Sequence, residues 1–234
     1  DTLGSSMDMA MELGVKGAPS GTLVLAESQN QGRGRLGRVW FSPKYKGLYL
    51  SLILRPDMLP TQAPMLTLLS AVSICEAIKA ITGIDAQIKW PNDILVHNKK
   101  LAGILTQVVA ETDKINFVII GIGINVNNDR KALLSTATSL KEQRREDINR
   151  VSLLQEVLRR LETNYLVLEK KGSSQILEKW RLYNITLGKM VKIYCQGKHI
   201  EGEAVNIDID GGLLIRKDTG ITDKVMAGDV VHCR

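Results

Sequence analysis

Apolar residues recur along this chain at two periods, and wherever one of them holds it predicts an element. Over residues 64–81, Met65, Leu68, Leu69, Val72, Cys75, Ala77, Ile78 and Ile81 return every three or four positions, which predicts an amphipathic helix stopped at Gly83. Residues 48–54 alternate as Leu-Tyr-Leu-Ser-Leu-Ile-Leu and 22–27 form a short apolar run; both predict buried strands. Further strand-like runs fall at 86–90, 93–97, 102–110 and 115–125, and helical spacing returns at 152–168 and 174–183. Near the start, Ser5 or Ser6 is placed to cap a short helix over 7–13, whose three methionines read as core filler and which ends at Gly14. Strands interleaved with helices predict an α+β domain over residues 1–187, a mixed sheet backed by helices.

After Gly188 the pattern shortens. Strand-like pieces at 190–195, 199–207, 212–216, 222–226 and 229–233 are parted by Gly197, Gly202, Gly211, Gly212, Gly220 and Gly228. Five short strands with turn residues between them predict a second domain over 188–234, a small β-barrel that leans on the larger one because so few residues enclose little core.

Between the first two strands, residues 28–46 are polar, and loops longer than about 12–15 residues in compact domains are usually functional. The segment Gln29-Asn-Gln-Gly-Arg-Gly-Arg-Leu-Gly-Arg38 alternates Gly32, Gly34 and Gly37 with Arg33, Arg35 and Arg38. As a string it satisfies the dinucleotide fingerprint, but the Val-Trp-Phe-Ser-Pro that follows cannot open the helix this fingerprint needs. A Walker loop would require Lys and Ser or Thr where Arg38 and Val39 stand. What remains is a flexible loop able to bring three guanidinium groups round a small anion, since arginine's planar fork suits carboxylate and phosphate. The plainer reading is a solvated basic loop.

Three other segments favour the anion: Lys89-Trp-Pro-Asn-Asp93, Lys99-Lys-Leu-Ala-Gly-Ile-Leu105 and Gly121-Ile-Gly-Ile-Asn-Val-Asn127. Each sets a polar group at the edge of an otherwise apolar strand, where sites are carried. Asp93 has the hard oxygen that Mg²⁺ or a hydroxyl takes, and Lys100 offers a point charge to a carboxylate or an α-phosphate. A capping Asp and a solvated lysine pair are the plainer alternatives.

The 234 residues hold 31 Lys and Arg against 25 Asp and Glu, a formal charge of +6, with 44% hydrophobic and 24% charged residues. That balance excludes disordered and fibrous classes. The longest apolar runs, such as 118–124, fall short of the roughly 20 residues that span a bilayer, so no membrane helix is expected. Cys75, Cys195 and Cys233 form no C-x-x-C pair, and His97, His199 and His232 lack metal spacing, so neither a disulfide framework, a zinc or haem site, nor a catalytic histidine is predicted. Free thiols, with no basic or apolar leader over residues 1–4, lead to the expectation of a cytoplasmic protein.

In this order, the Gly-Arg-Gly-Arg-x-Gly-Arg loop, the Lys-Trp-Pro-Asn-Asp turn, the Lys-Leu-Ala-Gly-Ile-Leu strand, the Gly-Ile-Asn strand and Ala137-Thr-Ser-Leu140 resemble the biotin–protein ligases, also called biotin–[acetyl-CoA-carboxylase] ligases. The resemblance covers nearly the whole chain. One departure is Ser5-Ser6-Met7, where the family has Ser-Thr-Asn or Ser-Thr-Gln, so an amide is lost. The resemblance implies a class II synthetase-like catalytic domain and an SH3-like C-terminal barrel. It also implies ATP with Mg²⁺, biotin as substrate, and a biotin carboxyl carrier domain as partner, and it leaves a homodimer open. Biotin and ATP would give biotinyl-5′-AMP, and a carrier lysine would then take the biotinyl group.

By the same resemblance Ser5, Ser6 and Gln29 bond biotin's ureido ring, backbone from Gly32 to Arg33 closes the pocket, and Gly103 lets a strand approach the ligand. Trp40 stacks on adenine and Asn125 bonds its edge. Arg33, Arg35 and Arg38 hold phosphate, Lys100 bridges the biotin carboxylate and the α-phosphate, and Asp93 supports Mg²⁺ or Lys100. Lys100, Arg35 and Asp93 form the catalytic set, while Trp90 and Trp180 are left to the core. A lipoate–protein ligase of the same fold is the nearest alternative enzyme. A biotin-responsive repressor is the alternative from another class, with nucleic acid as a partner only if a winged-helix domain precedes Asp1.

Overall fold

Turn lengths decide which way the central strands run. The computed structural model describes residues 1–195 and 198–232; the expectations made for Gly197 and Cys233 lie outside the described residues. In chain order the larger unit holds β1 (Thr2–Leu3), α1 (Ser6–Val15), β2 (Leu23–Ala26), β3 (Ser28–Gln29), β4 (Leu48–Leu54), α2 (Pro64–Thr82), β5 (Gln87–Lys89), β6 (Asp93–Val96), β7 (Lys99–Ala110), β8 (Ile115–Ile124), α3 (Leu140–Arg144), α4 (Arg150–Lys171) and α5 (Ser174–Tyr183). Connections of two to four residues join β5 through β8, and so short a link can only reverse the chain. The pairs β5–β6, β6–β7 and β7–β8 of the six-stranded sheet, ordered β2-β4-β8-β7-β6-β5, are therefore antiparallel; β2–β4 and β4–β8 are antiparallel too, and among the described residues parallel pairing is found in the two-residue pair β1–β3 and in single bridges such as Ile88 to Asn184 and Lys100 to Ala137.

The two faces of the sheet are covered differently. On one, α2 packs with α4 and α5 over a large apolar cluster. The predicted amphipathic stripe of α2 is wider than expected: apart from Lys79, Ala80 and Ile81 near its end, the helix is buried or half-buried on every side. Ser70, Ser73 and Thr82 are tolerated there because each hydroxyl donates to the carbonyl four residues back. Taken with the turn before it (Pro60–Thr82), this helix holds an 18-residue stretch of mean hydropathy 1.6, long and apolar enough to span a membrane, contrary to the expectation that no segment is, yet it lies inside the fold. On the other face α1 closes a smaller cluster of Met7, Ala10, Val24, Ile53, Phe117 and Ile119. The run at 22–27, expected to be a buried strand, is the sheet's free edge, with Leu25 43% exposed.

The strands β9 (Met190–Cys195), β10 (Lys198–Ile207), β11 (Leu213–Arg216), β12 (Thr222–Val225) and β13 (Asp229–His232) form an antiparallel sheet ordered β12-β11-β10-β9-β13. Its buried residues, among them Val191, Ile193, Leu213 and Ile215, belong to the same apolar cluster as α2. The turn at Gly211 sits against Met65 and Leu68, and its carbonyl accepts a hydrogen bond of 3.2 Å from Trp90 Nε1. Trp90 and Trp180 are both core residues, as expected.

Candidate functional site

Cross-strand register builds the floor of the site. Ser51, Gly121 and Leu105 stand side by side on β4, β8 and β7. Two residues further along, Tyr49, Gly123, Gly103, Asp93 and Lys89 make a second row that crosses β4, β8, β7, β6 and β5. Side chains directly opposite one another share a face, so both rows lie on the face that α1 covers. The N-terminal end of α1 meets the first row: Ser6 Oγ is 2.8 Å from Ser51 Oγ, and a Cβ on Gly121 would strike Met7. Trp40 lies on the second row, where a Cβ on Gly123 would come within 2.4 Å of its indole and one on Gly103 within 3.1 Å.

Above this floor is a cavity of about 610 Å³, within the range of small-molecule sites. Among the described residues Arg33, Arg35, Arg38 and Lys100 line it against two carboxylates, Asp93 and Asp229. Lys100 Nζ is 2.6 Å from Asp93 and 5.6 Å from the centre of the Trp40 ring. Its backbone is fixed from outside the sheet, since Lys100 N donates to Thr136 O and Thr138 N to Lys100 O. The segment carrying Ala132, Leu133, Leu134, Thr136 and Ala137 thus forms one wall of the cavity.

The arginine loop is tied down rather than loose. Arg33 pairs with Asp8 at 2.6 Å, Arg35 donates to Asn92 Oδ1 at 2.7 Å and to Gly228 O, and Arg38 pairs with Asp229. Glycine alternation suggests freedom, but acceptors from α1, the turn before β6 and the barrel hold one N–H each of Arg33 and Arg38 and two of Arg35, and leave the remaining donors for an anion.

Of the twelve residues expected at the site, ten line the cavity: Ser6, Gln29, Arg33, Arg35, Arg38, Trp40, Asp93, Lys100, Gly103 and Asn125. Ser5 and Gly32 do not. Ser5 is the N-cap of α1, its hydroxyl accepting from Met7 N at 3.2 Å, a competing use that any serine beside a helix start has. Gly32 lies behind Trp40 and Ser42, beside the cavity rather than in it. Gln29 takes Ser6 N on its Oε1 and gives its Nε2 to Ser42. Asn125 donates to Thr138 O, which leaves its Oδ1 free of protein partners among the described residues. The sequence reading missed Asn92, which orients Arg35, and Asp229, although a carboxylate at a strand edge beside Gly228 is the same signal that marked Asp93.

Asp93 is committed to Lys100, and among the described residues no three His, Cys, Asp or Glu side chains converge on a metal-sized site. One paired carboxylate does not make a protein-built Mg²⁺ site. Tyr49, at the end of the second row, donates to Pro43 O at 3.1 Å, and burial pushes its hydroxyl up to about 12.

Comparison with known proteins matches residues 3–125 to the biotin/lipoate A/B protein ligase family and residues 186–233 to the biotin protein ligase C terminal domain. A bifunctional ligase/repressor BirA from Bacillus spizizenii is 41% identical over 234 residues, covering 98% of this chain and 72% of that protein. A biotin–[acetyl-CoA-carboxylase] ligase from Mycobacterium tuberculosis is 32% identical, covering 92% and 80%. The structure of a biotin protein ligase from Aquifex aeolicus in complex with biotin and ATP superposes with a TM-score of 0.85 at 31% identity, covering 100% of this chain and 97% of that one.

Proposed function

The chain belongs to the biotin/lipoate A/B protein ligase family, and from that and the geometry of the site we infer that it is a biotin–protein ligase. It activates biotin with ATP to biotinyl-5′-AMP and transfers the biotinyl group to a lysine on the carrier domain of a biotin-dependent carboxylase. A carboxylate resists amine attack until its oxygen is converted into a leaving group, and joining it to a polyphosphate brings two anions together. The observation that carries the reading is the cavity's imbalance of four cations over two carboxylates, fixed above a floor cleared by two glycines. Charge that is oriented beforehand lowers the barrier without reorganisation.

In this reading Ser6, Gln29 and the first row, with Ser51 beside Gly121 and Leu105, hold the ureido end of biotin. Trp40 and Asn125 take the adenine, with Asn125 Oδ1 accepting from its exocyclic amine. Lys100 reaches both the biotin carboxylate and the α-phosphate, and Asp93 positions its ammonium at 2.6 Å. Mg²⁺ would be held by the nucleotide's phosphates and water rather than by a protein cage, where it would offset their negative charge. The match of the C-terminal unit to the biotin-ligase domain favours biotin over lipoate. Incubating the protein with ATP, Mg²⁺, biotin and an apo carrier domain, then weighing the carrier by mass spectrometry, tests the proposal. A biotinyl adduct is expected, and a folded protein that gives none, or that adds lipoate in preference, would refute it.

A further inference from the structure

Lys89 has no assigned role, yet its position is defined by the second row of the floor. It is the cross-strand neighbour of Asp93, which neighbours Gly103, which neighbours Gly123. Neighbouring strands are about 4.8 Å apart, so Lys89 stands one step beyond Asp93 and about two beyond Gly103, on the same face. Ile88 beside it points the other way, into the core.

The charges around Lys89 are Asp93, Lys100, Asp229 and Arg38. Both carboxylates are already taken, Asp93 by Lys100 and Asp229 by Arg35 and Arg38. Among the described residues no carboxylate lies within 4.0 Å of the Lys89 ammonium. Burial pulls its pKa below the ordinary lysine value, with Asp93 and Asp229 opposing and Lys100 and Arg38 assisting. A half-buried cation without a counter-ion costs stability unless a ligand supplies one.

We infer that Lys89, together with Arg38, forms the subsite for the departing pyrophosphate, at the seam between the β5–β6 hairpin and the barrel; this rests on the ligase reading above. Along the floor the order is adenine over Gly123 and Gly103, α-phosphate at Lys100 and Asp93, and the leaving group one strand further on. A biotin carboxylate oxygen bonds to the α-phosphorus, the bond from that phosphorus to the bridging oxygen breaks, and pyrophosphate leaves with the electron pair. Lys89 stays protonated and donates hydrogen bonds to the oxygens on which that charge collects.

Wild type, Lys89→Met and Lys89→Arg of the full chain are compared in three measurements: calorimetric binding of sodium pyrophosphate, pyrophosphorolysis of presynthesised biotinyl-5′-AMP to ATP, and transfer from presynthesised biotinyl-5′-AMP to a carrier domain. Lys89→Met should weaken pyrophosphate binding and raise the pyrophosphate KM by tenfold or more, with most of the loss recovered in Lys89→Arg. Transfer, which involves no pyrophosphate, should change by less than threefold. Unaltered pyrophosphate binding and KM would overturn the inference. So would an equal loss in all three measurements without recovery by arginine, which marks a structural residue. If the wild type binds pyrophosphate through Lys89 yet makes no biotinyl-5′-AMP, the ligase reading falls and the anion subsite stands.

Discussion

Gly123→Ala isolates one contact that the site depends on. The added Cβ would lie 2.4 Å from Trp40 Nε1 and Cε2 and 2.9 Å from Cζ2, where ordinary contacts run at 3.4–4 Å, so the indole has to move by about 1 Å. Gly123 lies outside the left-handed region, so alanine brings no backbone strain, and removing a glycine from a strand stabilises by about 0.5–1 kcal/mol. Overpacking costs about 1–3 kcal/mol where the neighbour is fixed. Trp40 is fixed through its backbone, by Trp40 N to Gly32 O at 2.8 Å and Ser42 Oγ to Trp40 O, but its ring is half-buried beside an open cavity. The ring therefore lifts into the space where the adenine is proposed to bind. The expected outcome is a small net loss of stability, about 1 kcal/mol, together with a rise of tenfold or more in the ATP KM of biotinyl-5′-AMP formation. Biotin binding, at the first row, should be nearly unchanged. Urea melts of Gly123→Ala, Trp40→Ala and the double variant close a thermodynamic cycle, in which Gly123→Ala should be neutral or stabilising once the indole is gone. If alanine costs the same in both backgrounds, with coupling below about 0.5 kcal/mol, the clash is not the cause and the reasoning fails.

Three further outcomes follow from the same geometry. Lys100→Ala should slow single-turnover formation of biotinyl-5′-AMP by about 10²–10³, the cost of removing one oriented donor, and leave biotin affinity within a few fold; an unchanged quenched-flow rate would remove Lys100 from the chemistry. Asp229→Ala should slow adenylation several-fold by freeing Arg35 and Arg38, yet cost under about 1 kcal/mol in stability because Arg38 is largely exposed; kinetics and melts on one preparation separate the two. Because burial raises the folded-state pKa of Tyr49 to about 12, its contribution is intact below the unfolded value near 10 and is lost as pH rises from about 10 to 12. Tyr49→Phe should be the less stable protein by about 1 kcal/mol at neutral pH and should gain on the wild type across that window; parallel curves would contradict it.

What was legible in the sequence is what repeats locally. The periods over 48–54, 174–183 and 190–195 coincide with β4, α5 and β9 to the residue. β7 begins three residues before its predicted start, since Lys99 and Lys100 disguise the head of a strand whose backbone is paired on both sides. Strand direction was hidden in the apolar pattern and lay instead in the turn lengths, such as the two-residue His97-Asn98 link with φ of 48° and 60°. The arginines, Lys100 and Asp93 announced themselves through residue type and local motif. Asp229 carried the same strand-edge signal as Asp93, but its partner Arg38 lies 191 positions away in the chain, and no local pattern encodes that pairing. Ser5 and Ser6 are indistinguishable as letters, and only the helix start decides which hydroxyl is consumed as a cap.

The apolar cluster that runs without a break from α2 into the barrel bears on how such proteins can be recombined. A chimera joined at 187/188 would keep every motif and still have to match Met65 and Leu68 to a foreign turn, and Trp90 to a foreign carbonyl. Parts drawn from two relatives should therefore express as soluble, active protein only when the α2 face and the Gly211 turn come from the same parent, so inheritance follows the packed seam rather than the linker.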